Sequence, residues 1–112
     1  MSADCLFCQI VAGSIPAKRV YEDELCLCFA DIHPQAPTHL LIISKQHIAS
    51  LAEAEDAPLL GHLMGTAAAI AHSAGLDRGY RVVVNTGPDG GQTVGHLHLH
   101  LLGGRAMGWP PG

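Results

Sequence analysis

Residues 95–104 read GHLHLHLLGG, with His96, His98 and His100 at every second position and Leu97, Leu99 and Leu101 between them. In a β-strand successive side chains point to opposite faces, so the leucines share one face and the imidazoles the other. A leucine face must be buried, which calls for an apolar layer lying against this strand. The strand rises about 3.3 Å per residue, which sets the outer two histidines about 13 Å apart. Zinc–nitrogen bonds are only about 2.0–2.1 Å long, so one ion cannot bind all three, and at most two neighbours could share one. A neutral imidazole nitrogen is a competent nucleophile toward phosphorus, and flanking imidazoles can position it or hold phosphate oxygens. The competing reading is a solvent-facing strand that merely uses histidine as its polar residue.

The rest of the chain supplies the layer. Leu59, Leu60, Leu63, Met64, Ala67, Ile70, Ala71 and Ala74 recur at helical spacing, predicting one long helix opened by Asp56 or Pro58 and closed by Gly75. RVYEDELCLCFADI predicts two short strands around an acidic turn at Glu22–Glu24, and HLLIIS predicts a buried strand. HPQAPT carries two prolines and is loop. YRVVVNTG and GHLHLHLLGG flank PDGGQT as an antiparallel hairpin closed by a tight turn. Asp4 can cap a short first helix that stops at Gly13. His62 and His72 fall on the polar side of the long helix, where solvation is expected. The expectation is an α+β domain over residues 1–112: a five-stranded antiparallel sheet, one long helix and a short N-terminal helix.

Composition narrows the function. Apolar residues make up 48% of the 112-residue chain and charged ones 14%, the balance of a globular domain. The net charge of −4 argues against binding nucleic acid through its phosphate backbone. No apolar run is long enough to span a bilayer, and MSADCLFCQIVAG has no signal-peptide pattern. A cytoplasmic, reducing setting is therefore expected, where the four cysteines are poor disulfide candidates. Cys26 and Cys28 alternate with Leu25, Leu27 and Phe29 and read as buried thiols. Cys5 and Cys8 sit one helical turn apart; two thiolates joined by two histidines would make a tetrahedral zinc site, and two inert buried thiols are the alternative.

His96-Leu-His98-Leu-His100-Leu-Leu resembles the histidine triad signature. FADIHPQAPTHLLIISKQHI, VVNTGPDGGQTVGHLHLHLLGG and the terminal RAMGWPPG extend the resemblance from about Cys5 to Gly112, on the Hint side of the family rather than the Fhit side. The resemblance implies a purine nucleoside phosphoramidase cleaving the P–N bond of substrates such as adenosine 5′-phosphoramidates. His98 matches the nucleophile, which becomes a transient nucleotidyl-histidine. His39 and His100 match residues that orient the nucleophile and contact the phosphate, and His96 the triad member near the leaving group.

By the same resemblance Asn85, Gly91, Gln92, Thr93 and the Val94 backbone hold phosphate and ribose. Asp31 holds the ribose hydroxyls, and Leu6, Phe7, Ile15, Phe29 and Ile32 form the base pocket. Thr93 stands where serine is common, and His33 occupies a variable loop site. Related bacterial proteins pair the CxxC with histidines matching His47 and His96, which implies a structural zinc on Cys5, Cys8, His47 and His96. The phosphorus chemistry itself needs no cofactor. The resemblance further implies a homodimer with the WPPG tail near the partner's site. Two alternatives stay open: a nucleotide- or zinc-binding regulatory module with little turnover, and a dinucleoside polyphosphate hydrolase.

Overall fold

The computed structural model describes residues 4–112; the first three, part of the domain expected over 1–112, lie outside the description. The chain runs α1 (Leu6–Val11), β1 (Arg19–Glu22), β2 (Cys26–Ala30), β3 (Thr38–Ser44), a 3₁₀ turn (Leu51–Glu53), α2 (Ala57–Ser73), β4 (Tyr80–Val83) and β5 (His98–Gly103). The strands form one sheet in the order β1-β2-β3-β5-β4, every neighbouring pair antiparallel. The α+β architecture of one long helix, one short helix and five strands is the one expected.

Each face of the sheet carries its own core. On one face Leu59, Leu63, Ala67, Ile70 and Ala71 of α2 pack onto Cys26, Cys28, Ile42, Leu97, Leu99 and Leu101. Leu63 and Leu101 have no exposed surface, and burying a leucine side chain contributes ~1.5–3 kcal/mol. On the other face Phe7 and Ile10 of α1 pack onto Leu27, Phe29, Leu41 and Ile43. Pairing of Ile43 with His98 and Leu41 with His100 puts those histidines on the α1 face, because directly opposed residues share a face. The period-two pattern therefore distributes leucines and histidines as anticipated.

Helix ends follow local chemistry. Asp56 caps α2, its carboxylate accepting from the Leu59 N–H at 3.0 Å. Gly75 takes the left-handed backbone needed just past the helix, at φ +74°, and lets the Leu76 N–H close back on the Ala71 carbonyl. The first helix differs from expectation: Cys5, not Asp4, is its N-cap, with its sulfur accepting from the Cys8 N–H. A thiol is a poor usual cap, so sequence favours the aspartate one residue earlier.

Two further expectations are corrected. β4 and β5 are antiparallel neighbours, but residues 84–97 join them as a long loop rather than a tight turn. β5 starts only at His98. Leu97 is tied through its N–H to the Ile48 carbonyl at 2.7 Å, and His96 turns inward before the ladder begins. His62 is also not simply solvated, since its Nε2 lies 2.7 Å from Asp23 Oδ2, fastening α2 to the β1–β2 turn. Among the described residues no helix is long and apolar enough to cross a membrane.

Candidate active site and neighbouring metal-type cluster

The reactive face is organised around the β3–β5 ladder. His98 is buried, and its Nδ1 lies 2.6 Å from the His96 carbonyl oxygen. A carbonyl only accepts, so Nδ1 carries the proton and donates it. The Nε2 of His98 is thereby left with its lone pair.

A second chain of bonds fixes the neighbouring imidazoles. The Gln35 backbone N–H donates to His39 Nδ1 at 3.0 Å, so the His39 proton resides on Nε2. That nitrogen lies 2.9 Å from His100 Nδ1 and 3.4 Å from Asp31 Oδ2. His39 therefore donates to His100, and neutral His100 must carry its own proton on Nε2. Burial, reinforced by His98 and His39, holds His100 down to a pKa of about 4 despite the opposing pull of Asp31. His100 is thus an uncharged N–H donor at neutral pH, beside a lone-pair-bearing His98; their ring centroids are 5.1 Å apart.

Both open onto a cavity of about 520 Å³, within the usual range for small-molecule sites. Leu6, Phe7, Ile15, Phe29, Asp31, Ile32, Thr93, Val94, His98 and His100 all line it, so most of the residues expected at a base, ribose or phosphate subsite are gathered in one place. Phe7 stands edge-on to Phe29 at 5.6 Å and to His98 at 5.1 Å, serving core and cavity wall together. Asp31 holds the loop with one oxygen, accepting from the His33 N–H at 2.8 Å, and faces His39 with the other. Ile32 is 86% exposed at the mouth.

Five expected residues do not line the cavity; His39 is one, and reaches it through its bond to His100. Asn85, Gly91 and Gln92 are absent from its lining. The Gln92 amide is consumed internally: its oxygen accepts from the Gly87 N–H and its nitrogen donates to the Ala49 and Val94 carbonyls. These bonds shape the loop, as does Gly90, where a Cβ would run into the Thr86 carbonyl. His96 has no exposed surface and lies behind the wall. Conversely, Ile10, Pro16, Ala17, Lys18, Ala30 and Leu41 line the cavity without having been singled out, and His33, noted above as a variable loop site, lines it too. Only Leu41 left a signal, through its even spacing from His39 in β3.

Behind the wall lies the second constellation. His96 Nδ1 is 3.3 Å from Cys5 Sγ and 3.6 Å from Cys8 Sγ, and His47 Nδ1 is 3.2 Å from Cys8 Sγ. In a tetrahedral zinc site with bonds of about 2.3 Å to sulfur and 2.0–2.1 Å to nitrogen, neighbouring S and N ligands stand about 3.5 Å apart. These three sulfur–nitrogen separations match the edge lengths such an ion requires, and all four ligand atoms lie within 4.8 Å of one another. The Ser44 carbonyl lies 2.6 Å from His96 Nε2, which places the proton there and frees Nδ1, the arrangement that orients a ligating histidine. Burial also lowers the pKa of His96, favouring the neutral form that a metal needs. Cys26 and Cys28 behave differently: burial pushes their thiols up to about 11 and about 12, leaving them inert core residues.

A five-stranded sheet carrying a row of histidines, with one imidazole poised as a base or nucleophile over an apolar cavity, defines a small-molecule-binding α+β domain of the histidine-ridge type. The chain belongs to the HIT domain family, whose model matches residues 12–107. It is 60% identical to an uncharacterised HIT-like protein of Synechococcus elongatus over the full length of both chains. It is 52% identical to a 14 kDa zinc-binding protein of Zea mays, over 96% of this chain and 87% of the other. Among solved structures it resembles a HIT family hydrolase of Legionella pneumophila, with TM-score 0.95 and 54% identity over 97% of this chain and 100% of that one. A histidine triad nucleotide-binding protein of Candida albicans gives TM-score 0.84 and 32% identity over 96% and 83%.

Proposed function

We propose that the protein is a nucleotide hydrolase of the phosphoramidase type, acting on purine nucleoside 5′-phosphoramidates such as adenosine conjugates of amines. The carrying observation is the His98 Nδ1–H bond to the His96 carbonyl, which presents an Nε2 lone pair to the cavity. The hydrolase and nucleotide-binding names of the Legionella and Candida proteins support the same class. The base lies between Leu6, Phe7, Ile15, Phe29 and Ile32, the ribose hydroxyls bond to Asp31, and the phosphate meets the His100 N–H and the Thr93–Val94 segment.

His98 Nε2 attacks phosphorus and forms an N–P bond. The P–N bond to the amine breaks, and the amine departs with a proton taken from water at the open mouth. Water then attacks the nucleotidyl-histidine, releasing the nucleoside monophosphate and a proton and restoring His98. His100 stabilises the developing charge on a phosphoryl oxygen. His96, enclosed with both nitrogens engaged, serves the Cys5–Cys8–His47 cluster rather than the leaving group. Zinc on that cluster, a reading the maize protein's name favours, supplies fold stability and no step of the reaction. The exposed β4 edge joins a second copy, and the reduced thiols suit a cytoplasmic setting.

The test is hydrolysis of an adenosine phosphoramidate by wild type and His98→Ala, with AMP binding measured alongside. Loss of roughly 10⁴-fold or more in turnover with AMP affinity retained is expected, the scale of losing a nucleophile. Wild type that binds AMP without turnover would leave the regulatory binding module as the correct reading.

A further inference from the structure

The metal-type cluster and the cavity share one wall, α1. Leu6, Phe7 and Ile10 of this helix face the cavity, while Cys5 and Cys8, one residue to either side of Leu6–Phe7, reach back to His47 and His96. Phe7 stands edge-on to both His96, at 5.9 Å, and His98, at 5.1 Å. The helix is only six residues long and too short to persist by its own backbone bonds. Its C-terminal end is pinned by the Arg19 guanidinium, which donates to the Ile10 carbonyl at 2.7 Å. At its N-terminal end the two sulfurs lie against His47 and His96, in the segments after β3 and before β5.

We infer that metal binding at Cys5, Cys8, His47 and His96 gates the nucleotide pocket: the bound ion locks α1 against the sheet, and metal loss loosens the base-contacting wall while sparing the phosphate end. The inference rests on the nucleotide reading of the cavity. With the ion absent, three thiol–imidazole contacts supplement the packing of Phe7 and Ile10 in holding the helix, and S–H is a weak donor. The Leu6–Phe7 wall then has to be ordered on binding, at an entropic cost subtracted from affinity. Asp31, His39 and His100 lie on the loop after β2, on β3 and on β5 respectively, outside α1. Metal occupancy therefore controls recognition of the base through α1, while the ribose and phosphate contacts at Asp31 and His100 stay in place.

The test compares zinc-loaded protein, chelator-treated protein and Cys5→Ser/Cys8→Ser by AMP calorimetry, by NMR titration with ribose 5-phosphate, and by amide hydrogen exchange of residues 6–11. AMP affinity is expected to fall roughly tenfold or more on metal loss, with ribose 5-phosphate affinity unchanged and exchange accelerated in α1 alone. Equal AMP affinity with and without zinc, or unchanged α1 exchange, would overturn the gate. So would global unfolding with loss of ribose 5-phosphate binding, which would make the ion a staple for the whole fold, and so would failure to bind zinc. If zinc-loaded protein ignores AMP altogether, the nucleotide reading fails, and the exchange data alone decide whether the ion orders α1.

Discussion

At the scale of single residues the site is a problem of proton placement, solved by backbone groups that cannot change role. The His96 carbonyl and the Gln35 N–H between them dictate where the protons of His98, His39 and His100 sit. That the histidines share a face was legible in GHLHLHLLGG, because a period of two is a property of the strand itself. Which nitrogen each presents was not legible, since it depends on contacts such as His39 with His100, 61 residues apart.

His100 carries a pH prediction. Its pKa is held to about 4 in the folded protein and returns to about 6.5 on unfolding. Its neutral form therefore contributes no penalty above pH 6.5, and stability is lost progressively as pH falls from 6.5 toward 4, where only the unfolded chain takes up the proton. Urea titrations at several pH values should show wild type losing stability faster than His100→Gln across that window. Parallel losses would contradict this account of His100.

At the scale of elements, caps and clasps decide where each piece begins and how it is held. Asp56 was legible as the start of α2 because an aspartate before an apolar helical repeat is a strong local signal, and the structure uses it so. Replacing it with alanine should cost about 1 kcal/mol, the usual worth of an N-cap, read as a lower urea midpoint with an unchanged slope; no change would mean the end is held by Pro58 and packing instead. Cys5 as the cap of α1 was not legible, because its sulfur is placed against His96, 91 residues away.

The Asp23–His62 clasp was hidden for the same reason, its partners being 39 residues apart. Burial alone would raise the Asp23 pKa, but the Leu25 N–H, the Tyr21 hydroxyl, His62 and the Cys26 N–H overcome it and hold the carboxyl well below its usual range. Gln92 shows the reverse case. The family resemblance implied a phosphate- or ribose-holding role for it, yet Ala49 and Gly87 draw its amide into the loop.

At the scale of the molecule, one sheet separates two tasks. Its leucine face is a core under α2, and its histidine face divides into an open cavity and a closed four-residue cluster. Among the described residues the sheet's β4 edge carries no partner, and Tyr80 on it and Met64 on α2 are 45% and 49% exposed. A bare strand edge flanked by apolar side chains favours pairing with another copy. Light scattering should therefore give twice the 11.7 kDa chain mass, reverting toward one chain mass in a β4 variant such as Val82→Pro that remains folded by circular dichroism. A monomeric wild type at micromolar concentration would contradict the pairing.

Catalysis at this site turns on a bond from His98 Nε2 to phosphorus. That bond is tested most directly by quenching the reaction of protein with an adenosine phosphoramidate early in turnover and mapping the modified peptide by mass spectrometry. One adenylyl group, acid-labile as a phosphorus–nitrogen bond, is expected on His98 and is expected to be absent from His98→Ala. Sustained turnover with no adduct, or an adduct on His96, His100 or His39 instead, would contradict it.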